Sequence, residues 1–301
     1  MTVQQKAAPK PAVIRRISTG RRMKDRFLQS LVYVAFGLAV VPLVAVLWLV
    51  VSNGLARFDL EFLTHSMRGI GARDAGGGAY HAIIGTLEQV LLASLISVPI
   101  GLFTAIYLVE YGNANRLSRA ISFFVDVMTG VPSVVAGLFI LSFWILFLGM
   151  PFSGLAGAMA LSILMMPTVV RSAEEMLRLV PDDLREASYA LGAPKWRTIV
   201  NVVLPTALTG IVTGVMLAVA RVTGETAPLL LTVFFTDSIN NNPFNGPQMS
   251  LPLYVFDQAG RPNAAAVDRA WTAALTLILI VMLLNLAARL IAWWRAPAKV
   301  R

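Results

Sequence analysis

Long apolar runs separated by short polar segments are the main pattern of this chain. The runs are continuous and do not alternate residue by residue. Several approach the roughly 20 residues that a helix needs to cross a bilayer. This pattern indicates membrane-spanning helices and argues against the strands of a barrel. It predicts six spans, at about residues 27–52, 82–109, 120–148, 154–170, 205–232 and 271–294.

The composition agrees with a membrane protein. Hydrophobic residues make up 57% of the chain and charged residues 14%, whereas soluble domains carry about 25% charged residues. Only helices and closed barrels satisfy their backbone groups in lipid, so we expect an all-α membrane protein. No Cys is present, which excludes thiolate metal ligands. His65 and His81 lie apart from any acidic cluster, so no metal site is expected.

The basic residues are distributed unevenly among the polar segments. Eight precede the first span without interleaved aromatic residues, which indicates a topogenic signal and not a nucleic-acid site. With the N-terminus inside, 19 basic residues lie in inner segments or at the inner end of a span, 5 lie in outer segments, and Arg221 lies well inside a span. Because positive charge is retained in the cytoplasm, we expect both termini to be cytoplasmic. The expected organisation is a basic, disordered tail (1–26), a membrane domain (27–295) with a cytoplasmic loop (171–204), and a cytoplasmic C-terminal tail (296–301).

The loop at 171–204 has the features of a short helix between two turns. It carries five basic and five acidic residues, so it is soluble and close to neutral. Pro181 breaks the chain, acidic residues at 182 and 183 suit the positive end of a new helix, and Gly192 suits the left-handed turn that ends one. Pro194 suits the first turn of the next helix. We expect a helix along the membrane face that docks a partner protein, although an ordinary interfacial helix explains the same pattern.

Two charged residues inside the fifth predicted span, Arg221 and Glu225, are the main candidates for chemistry. Each costs roughly 2.5–3.5 kcal/mol to insert at the centre of a membrane helix. Their i, i+4 spacing allows pairing on one helix face, so one interpretation is an ion pair that locks spans together. The other is a polar station on a solute path. There the guanidinium binds an oxyanion such as phosphate or sulfate, and Thr223 and Thr226 supply hydroxyl contacts.

The third predicted span is interrupted by Gly130, Pro132 and Ser133. This interruption predicts either a kink that opens a cavity, with Ser133 on the solute path, or close packing between helices. Asp126 in the same span and Arg171 at the end of the fourth are expected to mark the membrane surface.

The two polar motifs together resemble a known family. Residues 184–196, Leu-Arg-Glu-Ala-Ser-Tyr-Ala-Leu-Gly-Ala-Pro-Lys-Trp, and residues 221–230, Arg-Val-Thr-Gly-Glu-Thr-Ala-Pro-Leu-Leu, resemble the PstA family. PstA proteins are permease subunits of bacterial phosphate ABC importers. The first motif is similar to the EAA loop of such importers, although Ser188 stands where a second Ala is usual. The resemblance covers about residues 30–295 and implies a type I importer permease (MetI-like) fold with six transmembrane helices.

The resemblance also implies roles and partners. Arg221 matches an arginine that the family associates with phosphate passage. The expected partners are a homologous PstC-like permease, two PstB-like ATPase subunits that bind ATP and magnesium, and an external PstS-like phosphate-binding protein. This chain would be a non-catalytic subunit in the bacterial cell membrane, without a cofactor of its own. The residues that would contact the ATPase are Glu186, Ala187, Ser188, Gly192 and Pro194.

Other functions remain open from the residues alone. Within the same class, the substrate could be another oxyanion such as phosphonate, sulfate or molybdate. An ion-coupled secondary transporter would use Arg221 and Glu225 as a charge relay and would predict inverted repeats with matched broken helices, which the sequence does not show. An intramembrane enzyme would need a nucleophile–base or metal constellation, and the spans contain no Cys or His.

Overall fold

The computed structural model describes residues 19–71, 73–112 and 115–295, and within these ranges it contains helices and no strand. A short 3₁₀ turn at Leu55–Arg57 follows α1. Three π-helical segments, at Tyr107–Tyr111, Leu141–Phe147 and Ile199–Val203, continue α3 and α5 and join α8 to α9. The helices are α1 (Thr19–Gly54), α2 (Leu60–Thr64), α3 (Tyr80–Ile106), α4 (Arg116–Thr129), α5 (Ser133–Ile140), α6 (Gly154–Arg178), α7 (Asp182–Ala190), α8 (Lys195–Thr198), α9 (Leu204–Thr223), α10 (Ala227–Thr232), α11 (Leu251–Ala259) and α12 (Ala264–Arg295).

The chain divides into two units, one ending at Leu49 and the other beginning at Val50. The first contains most of α1, whose apolar side chains, such as Phe27 and Trp48, are exposed. A helix that is hydrophobic all round is typical of a membrane span. Of the predicted basic tail, residues 1–18 lie outside the described residues, and the last positions, from Thr19 on, already belong to α1. The predicted C-terminal tail, 296–301, also lies outside them.

Five helices in the described part of the chain are long and apolar enough to cross a membrane. They are Gly20–Arg57, Tyr80–Tyr111, Gly154–Arg178, Lys195–Thr223 and Ala264–Leu290. The prediction of an all-helical membrane protein is confirmed. A sixth span exists only if Arg116–Thr129 and Ser133–Phe147 are counted together, and these two segments are bent by 105°.

The bend corrects the third predicted span, 120–148, which is not one straight helix. The helix ends at Thr129, and Pro132 has an extended ψ of 141° before α5 begins. Proline has no backbone N–H and disfavours a helical conformation of the residue before it. The chain therefore turns sharply at Pro132 instead of continuing across.

The helix ends also differ from those predicted around the polar loop. α6 continues to Arg178, past the predicted end at residue 170, and the next long helix begins at Lys195 instead of at residue 205. The predicted fifth span, 205–232, is two helices, because α9 ends at Thr223 and α10 begins at Ala227. Gly224 caps α9, and Pro228 occupies the first turn of α10, where its missing N–H costs nothing.

Close packing of α3 on α6 forms the centre of the unit that begins at Val50. A Cβ atom on Gly101 of α3 would lie 2.7 Å from Cγ1 of Val169 in α6. The hydroxyl of Ser97 donates to the carbonyl of Ser162 at 3.2 Å. Small residues allow helix backbones to approach closely where lipid supplies no hydrophobic driving force.

The loops 53–81 and 233–270, which separate predicted spans, contain folded elements. Asp59 caps α2 by accepting a hydrogen bond from the backbone of Phe62, and Phe62 is fully buried. Arg57 and Arg269 donate to the carbonyl of Gly76 and so hold the glycine-rich segment in place. In the second loop, α11 was not predicted at all, although its Tyr254 is fully buried.

Candidate functional site

Arg221 lies in the last turn of α9, and its side chain is exposed. A basic residue at this position interacts favourably with the helix dipole. The ion pairs among the described residues do not include Arg221. The guanidinium is therefore accessible at one end of an apolar helix.

The i, i+4 ion pair, one of the two interpretations of Arg221 and Glu225, is absent from the ion pairs of the described residues. α9 ends at Thr223, so Glu225 lies in the turn before α10 and not on the same helix face. Its backbone N–H donates to the carbonyl of Val222 at 3.2 Å. The interpretation of these two residues as an ion pair that locks the spans therefore loses its geometric basis within this chain.

The hydroxyl residues predicted for the solute path differ in their surroundings. Thr223 is buried, and its hydroxyl donates to the carbonyl of Val219 at 2.6 Å. Thr226 is half-buried directly before α10, and Ser133 is half-buried at the first residue of α5. Thr226 and Ser133 therefore have more accessible hydroxyl groups than Thr223.

The breaks in the third and fifth predicted spans lie before two helices that touch each other. A Cβ atom on Gly137 of α5 would lie 2.7 Å from Cα of Pro228 in α10 and 3.1 Å from its carbonyl oxygen. Ser133 precedes Gly137 by about one helical turn, and Thr226 lies two residues before Pro228. The fold thus associates the two interrupted spans, which the sequence presents 90 residues apart.

A network of ion pairs joins α4 to α6, and sequence reasoning missed it. Arg171 Nη2 lies 2.5 Å from Asp126 Oδ1, and its Nη1 lies 2.6 Å from Glu174 Oε2. The buried Glu174 also accepts from Arg178 at 2.8 Å. Instead of marking the membrane surface separately, Arg171 and Asp126 bind each other. The i, i+3 and i, i+4 spacing within α6 was readable, whereas the partner in α4 was not.

The predicted left-handed turn at the end of α7 is confirmed. Gly192 has a φ of 78°, a region that favours glycine. Its N–H donates to the carbonyl of Tyr189 at 2.9 Å, and the N–H of Ala193 donates to the carbonyl of Ser188 at 3.2 Å. These two bonds form a Schellman motif, which satisfies the last carbonyls of the helix.

The predicted docking residues occupy one polar and small-residue surface around this turn. Glu186, Ala187, Gly192 and Pro194 are exposed. Ser188 is half-buried because its hydroxyl lies 2.8 Å from that of Thr198 in α8. Beside them, Leu191 is 89% exposed and Trp196 is 58% exposed. Two large apolar side chains are thus exposed close along the chain to the predicted docking residues.

The inner side of α7 is held by charged groups from other helices. Arg185 Nη2 lies 2.9 Å from Oε1 of Glu110, at the end of the π-helical continuation of α3. Lys195, at the start of α8, donates to the backbone carbonyl of the same Glu110. No spacing rule connects residues this far apart along the chain, so sequence reasoning did not find these contacts.

Neither histidine takes part in a metal site within the described residues, where no group of three or more potential ligands is present. His81 is buried against Tyr254, with the ring centroids 5.5 Å apart in an edge-on contact. His65 Nδ1 lies 3.1 Å from the hydroxyl of Thr64. Each histidine therefore contacts another side chain of the fold.

Comparison with known proteins gives concordant results. The family model described as "Binding-protein-dependent transport system inner membrane component" matches residues 97–299. The phosphate transport system permease protein PstA 1 of Mycobacterium tuberculosis (strain CDC 1551 / Oshkosh) is 50% identical over 283 residues, which is 94% of this chain and 93% of the relative. PstA of Pasteurella multocida is 36% identical over 270 residues, which is 90% of this chain and 95% of the relative. An inward-facing structure of the MetNI methionine ABC transporter aligns with a TM-score of 0.57 and 22% identity, covering 73% of this chain and 95% of that chain. This last likeness concerns the fold alone.

Proposed function

The chain belongs to the PstA family of inner-membrane phosphate transport permeases, and we propose that it forms half of the translocation path of an ATP-driven importer of inorganic phosphate. The relatives named above support phosphate as the substrate. The match to a family described as the inner membrane component of a binding-protein-dependent transport system supports a division of work between a membrane channel and separate partner subunits.

One structural observation carries the chemistry of this proposal: the exposed guanidinium of Arg221 stands outside the ion pairs of the described chain, at the end of an apolar helix. A phosphate ion that leaves water loses strong hydration, which an arginine offsets through charge-assisted and bidentate hydrogen bonds. The half-buried Ser133 and Thr226 would add neutral hydroxyl contacts along the path. Glu225, half-buried in the turn between α9 and α10, would keep the anion from binding too tightly, because its carboxylate is also negative.

The ATPase would dock on the surface formed by Glu186, Ala187, Ser188, Gly192 and Pro194. This surface is exposed, ends in a rigid Schellman turn and borders the exposed side chain of Leu191. A short helix in a groove is a common mode of protein recognition. ATP and magnesium would be bound by PstB-like subunits, and this chain would carry out no catalysis and need no cofactor.

The remaining partners would be a PstC-like permease and a PstS-like phosphate-binding protein. The basic residues of the polar loop and of both chain ends favour a cytoplasmic location for these segments. The binding protein would then approach from the opposite side, where we expect the loops 53–81 and 233–270 to lie.

Uptake by proteoliposomes that contain the complete complex tests this proposal. We expect ATP-dependent accumulation of labelled phosphate that requires the binding protein, and weak competition by sulfate, molybdate or a phosphonate. Accumulation of one of those anions in preference to phosphate would support the alternative of another oxyanion importer. Accumulation driven by an ion gradient without ATP would support a secondary transporter and overturn the proposal.

A further inference from the structure

Glu110 is a buried carboxylate that no part of the proposed transport mechanism uses so far. It lies in the π-helical segment that ends the span Tyr80–Tyr111, and its side chain is 5% exposed. Its Oε1 accepts hydrogen bonds from both Nε and Nη2 of Arg185, at 3.1 and 2.9 Å. Removing charges from water is costly, so such a pair is favourable only where geometry and further hydrogen bonds are good.

The same guanidinium joins three helices at one point. Besides Glu110 at the end of α3, it donates to the carbonyl of Leu177, in the last turn of α6, at 3.0 Å and to that of Val180, just after α6, at 2.6 Å. Arg185 itself belongs to α7. A planar guanidinium with several fixed donors can serve these acceptors together, whereas the single ammonium of lysine cannot.

A second cation, Lys195, contacts the same segment beyond the C-terminal end of α7. The ammonium of Lys195 donates to the backbone carbonyl of Glu110 and lies 4.8 Å from the ring centroid of Tyr111. The segment from 185 to 195 is thus tied at both ends to the last turn of the same membrane helix.

These ties matter because α7 is held by little else. None of its nine residues is buried. The other side-chain bond that leads away from it joins Ser188 to Thr198, in the short α8 that immediately follows. Apart from its chain connections to the neighbouring segments, a helix with no buried residue passes a push or a pull mainly through the groups that tether it.

We propose that the Arg185–Glu110 ion pair is the mechanical link through which a displacement of α7 moves α3, so that Glu110 is a positioning residue for coupling ATP hydrolysis to transport. This inference rests on the proposed docking of an ATPase on α7. α3 in turn packs against α6 in the core through Gly101 and Val169, so a movement delivered at Glu110 reaches the centre of the membrane domain.

The test measures phosphate uptake and ATP hydrolysis simultaneously in proteoliposomes that contain the complete complex. In Glu110→Gln, the amide keeps a hydrogen-bond acceptor but loses the charge. The amount of phosphate transported per ATP should fall by about tenfold or more, because truncating one partner of a buried charge pair is among the more costly single changes. The ATPase should still co-purify at the parent level. Arg185→Lys should lower the amount of phosphate transported per ATP by less, since lysine keeps the positive charge but lacks the planar set of guanidinium donors.

The matched control is Asp182→Asn. Asp182 also pairs with Arg185, at 3.1 Å, but it is 87% exposed, and exposed pairs contribute little. We expect its ratio of phosphate to ATP to stay within about twofold of the parent, in keeping with that small contribution.

Three outcomes separate the possibilities. A low ratio with normal ATPase binding supports the inference. An unchanged ratio in Glu110→Gln, or an equal fall in Asp182→Asn, overturns it. Loss of ATPase binding together with transport also overturns it, because the pair would then only shape the docking surface. If Glu110→Gln does not assemble, Glu110→Asp, which withdraws the carboxylate by one methylene, decides in the same way. A parent complex without ATP-driven phosphate uptake would instead contradict the proposed function itself.

Discussion

At the scale of single residues, Arg221 and Arg171 show how one side-chain type takes two different positions in the same membrane protein. Arg171 is bound by Asp126 and Glu174, so its charge is neutralised within the chain. Arg221 is exposed at the end of α9 and takes no part in the ion pairs of the described residues. A cation that is not neutralised is the one that can bind an anion.

We expect Arg221→Gln to lower the rate of phosphate uptake by at least about tenfold, because a hydrogen bond to a charged group contributes roughly 1.5–3 kcal/mol. Arg221→Lys should retain part of the rate, since the charge remains while the fork is lost. Uptake of labelled phosphate, normalised to assembled complex, measures both. Arg289→Gln is the control, because Arg289 is also exposed on a long helix but has no role in the proposed path.

The double variant Arg221→Gln with Glu225→Gln distinguishes the path from a structural pair. If Arg221 served only to neutralise Glu225, removing both charges would restore transport. The structure places the two residues on different elements, so we expect the double variant to assemble normally and to transport as poorly as Arg221→Gln. Full transport by the double variant would falsify the assignment of Arg221 to the path.

At the scale of elements, α7 and its terminal turn are defined by local chemistry. The first turn carries two acidic residues, which suit the positive end of the helix dipole. The last turn closes through Gly192 in the left-handed region. The shape of the proposed docking surface depends on this turn, because Leu191, Gly192 and Pro194 lie within it.

Gly192→Val should therefore uncouple ATP hydrolysis from transport. A left-handed conformation costs a non-glycine residue roughly 1–2 kcal/mol, so the turn should open and displace Leu191. Phosphate-stimulated ATP hydrolysis and co-purification of the ATPase are the measurements. Gly192→Asn should be milder, since asparagine tolerates this region better.

Gly69→Val provides a matched control for the strain alone. Gly69 has the same φ of 78° and, like Gly192, has no atom within 4 Å of a built Cβ. It lies in the loop 53–81, away from α7. Normal coupling in Gly192→Val, or an equal defect in Gly69→Val, would count against α7 as the docking element.

The contact between α5 and α10 is the second element of the proposed path. A side chain on Gly137 would meet the backbone of Pro228 at 2.7 Å, and backbone atoms cannot move aside as a flexible side chain can. We expect Gly137→Ala to destabilise the complex by about 1–3 kcal/mol, as overpacking does, and to reduce uptake. Thermal unfolding of the purified complex and phosphate uptake test this. Gly130→Ala should be tolerated, because its Cβ would lie 3.5 Å from the nearest atom; equal effects of the two changes would argue against a specific contact.

At the scale of the whole molecule, five long apolar helices and one sharply bent pair make up the membrane-spanning architecture of the described chain. The alignment with a MetI-type permease agrees with this fold. The uneven distribution of basic residues predicts that both termini and the loop 171–204 lie in the cytoplasm, where positive charge is retained.

Single-cysteine labelling tests this orientation in a chain without native Cys. Leu191→Cys should react with an impermeant thiol reagent only in inverted vesicles, whereas Ser238→Cys should react from outside intact cells. Both positions are exposed, so a difference in accessibility reports the side of the membrane. Labelling of Leu191→Cys from outside would contradict the proposed topology.

The sequence by itself determined the features that depend on neighbours a few residues away. Continuous apolar runs identify spans because lipid requires every backbone group to be satisfied within its own helix. The helix start near Asp182 and the turn at Gly192 follow from local caps. The EAA-like loop and the run from Arg221 to Pro228 have fixed local spacing, which is why the family was recognisable before the fold was known.

Only the tertiary structure decided which distant residues meet. The pairs Arg171 with Asp126 and Arg185 with Glu110 join residues 45 and 75 positions apart, and no periodicity encodes such a separation. The interpretation of Arg221 and Glu225 as an i, i+4 ion pair assumed a continuous helix, whereas Gly224 ends one helix and Pro228 lies in the first turn of another. Likewise, the sequence marked the break at Pro132, but the angle of 105° depends on what α4 and α5 pack against. Charged residues and helix breaks can be identified in a sequence, whereas the residues that they contact depend on the path of the folded chain.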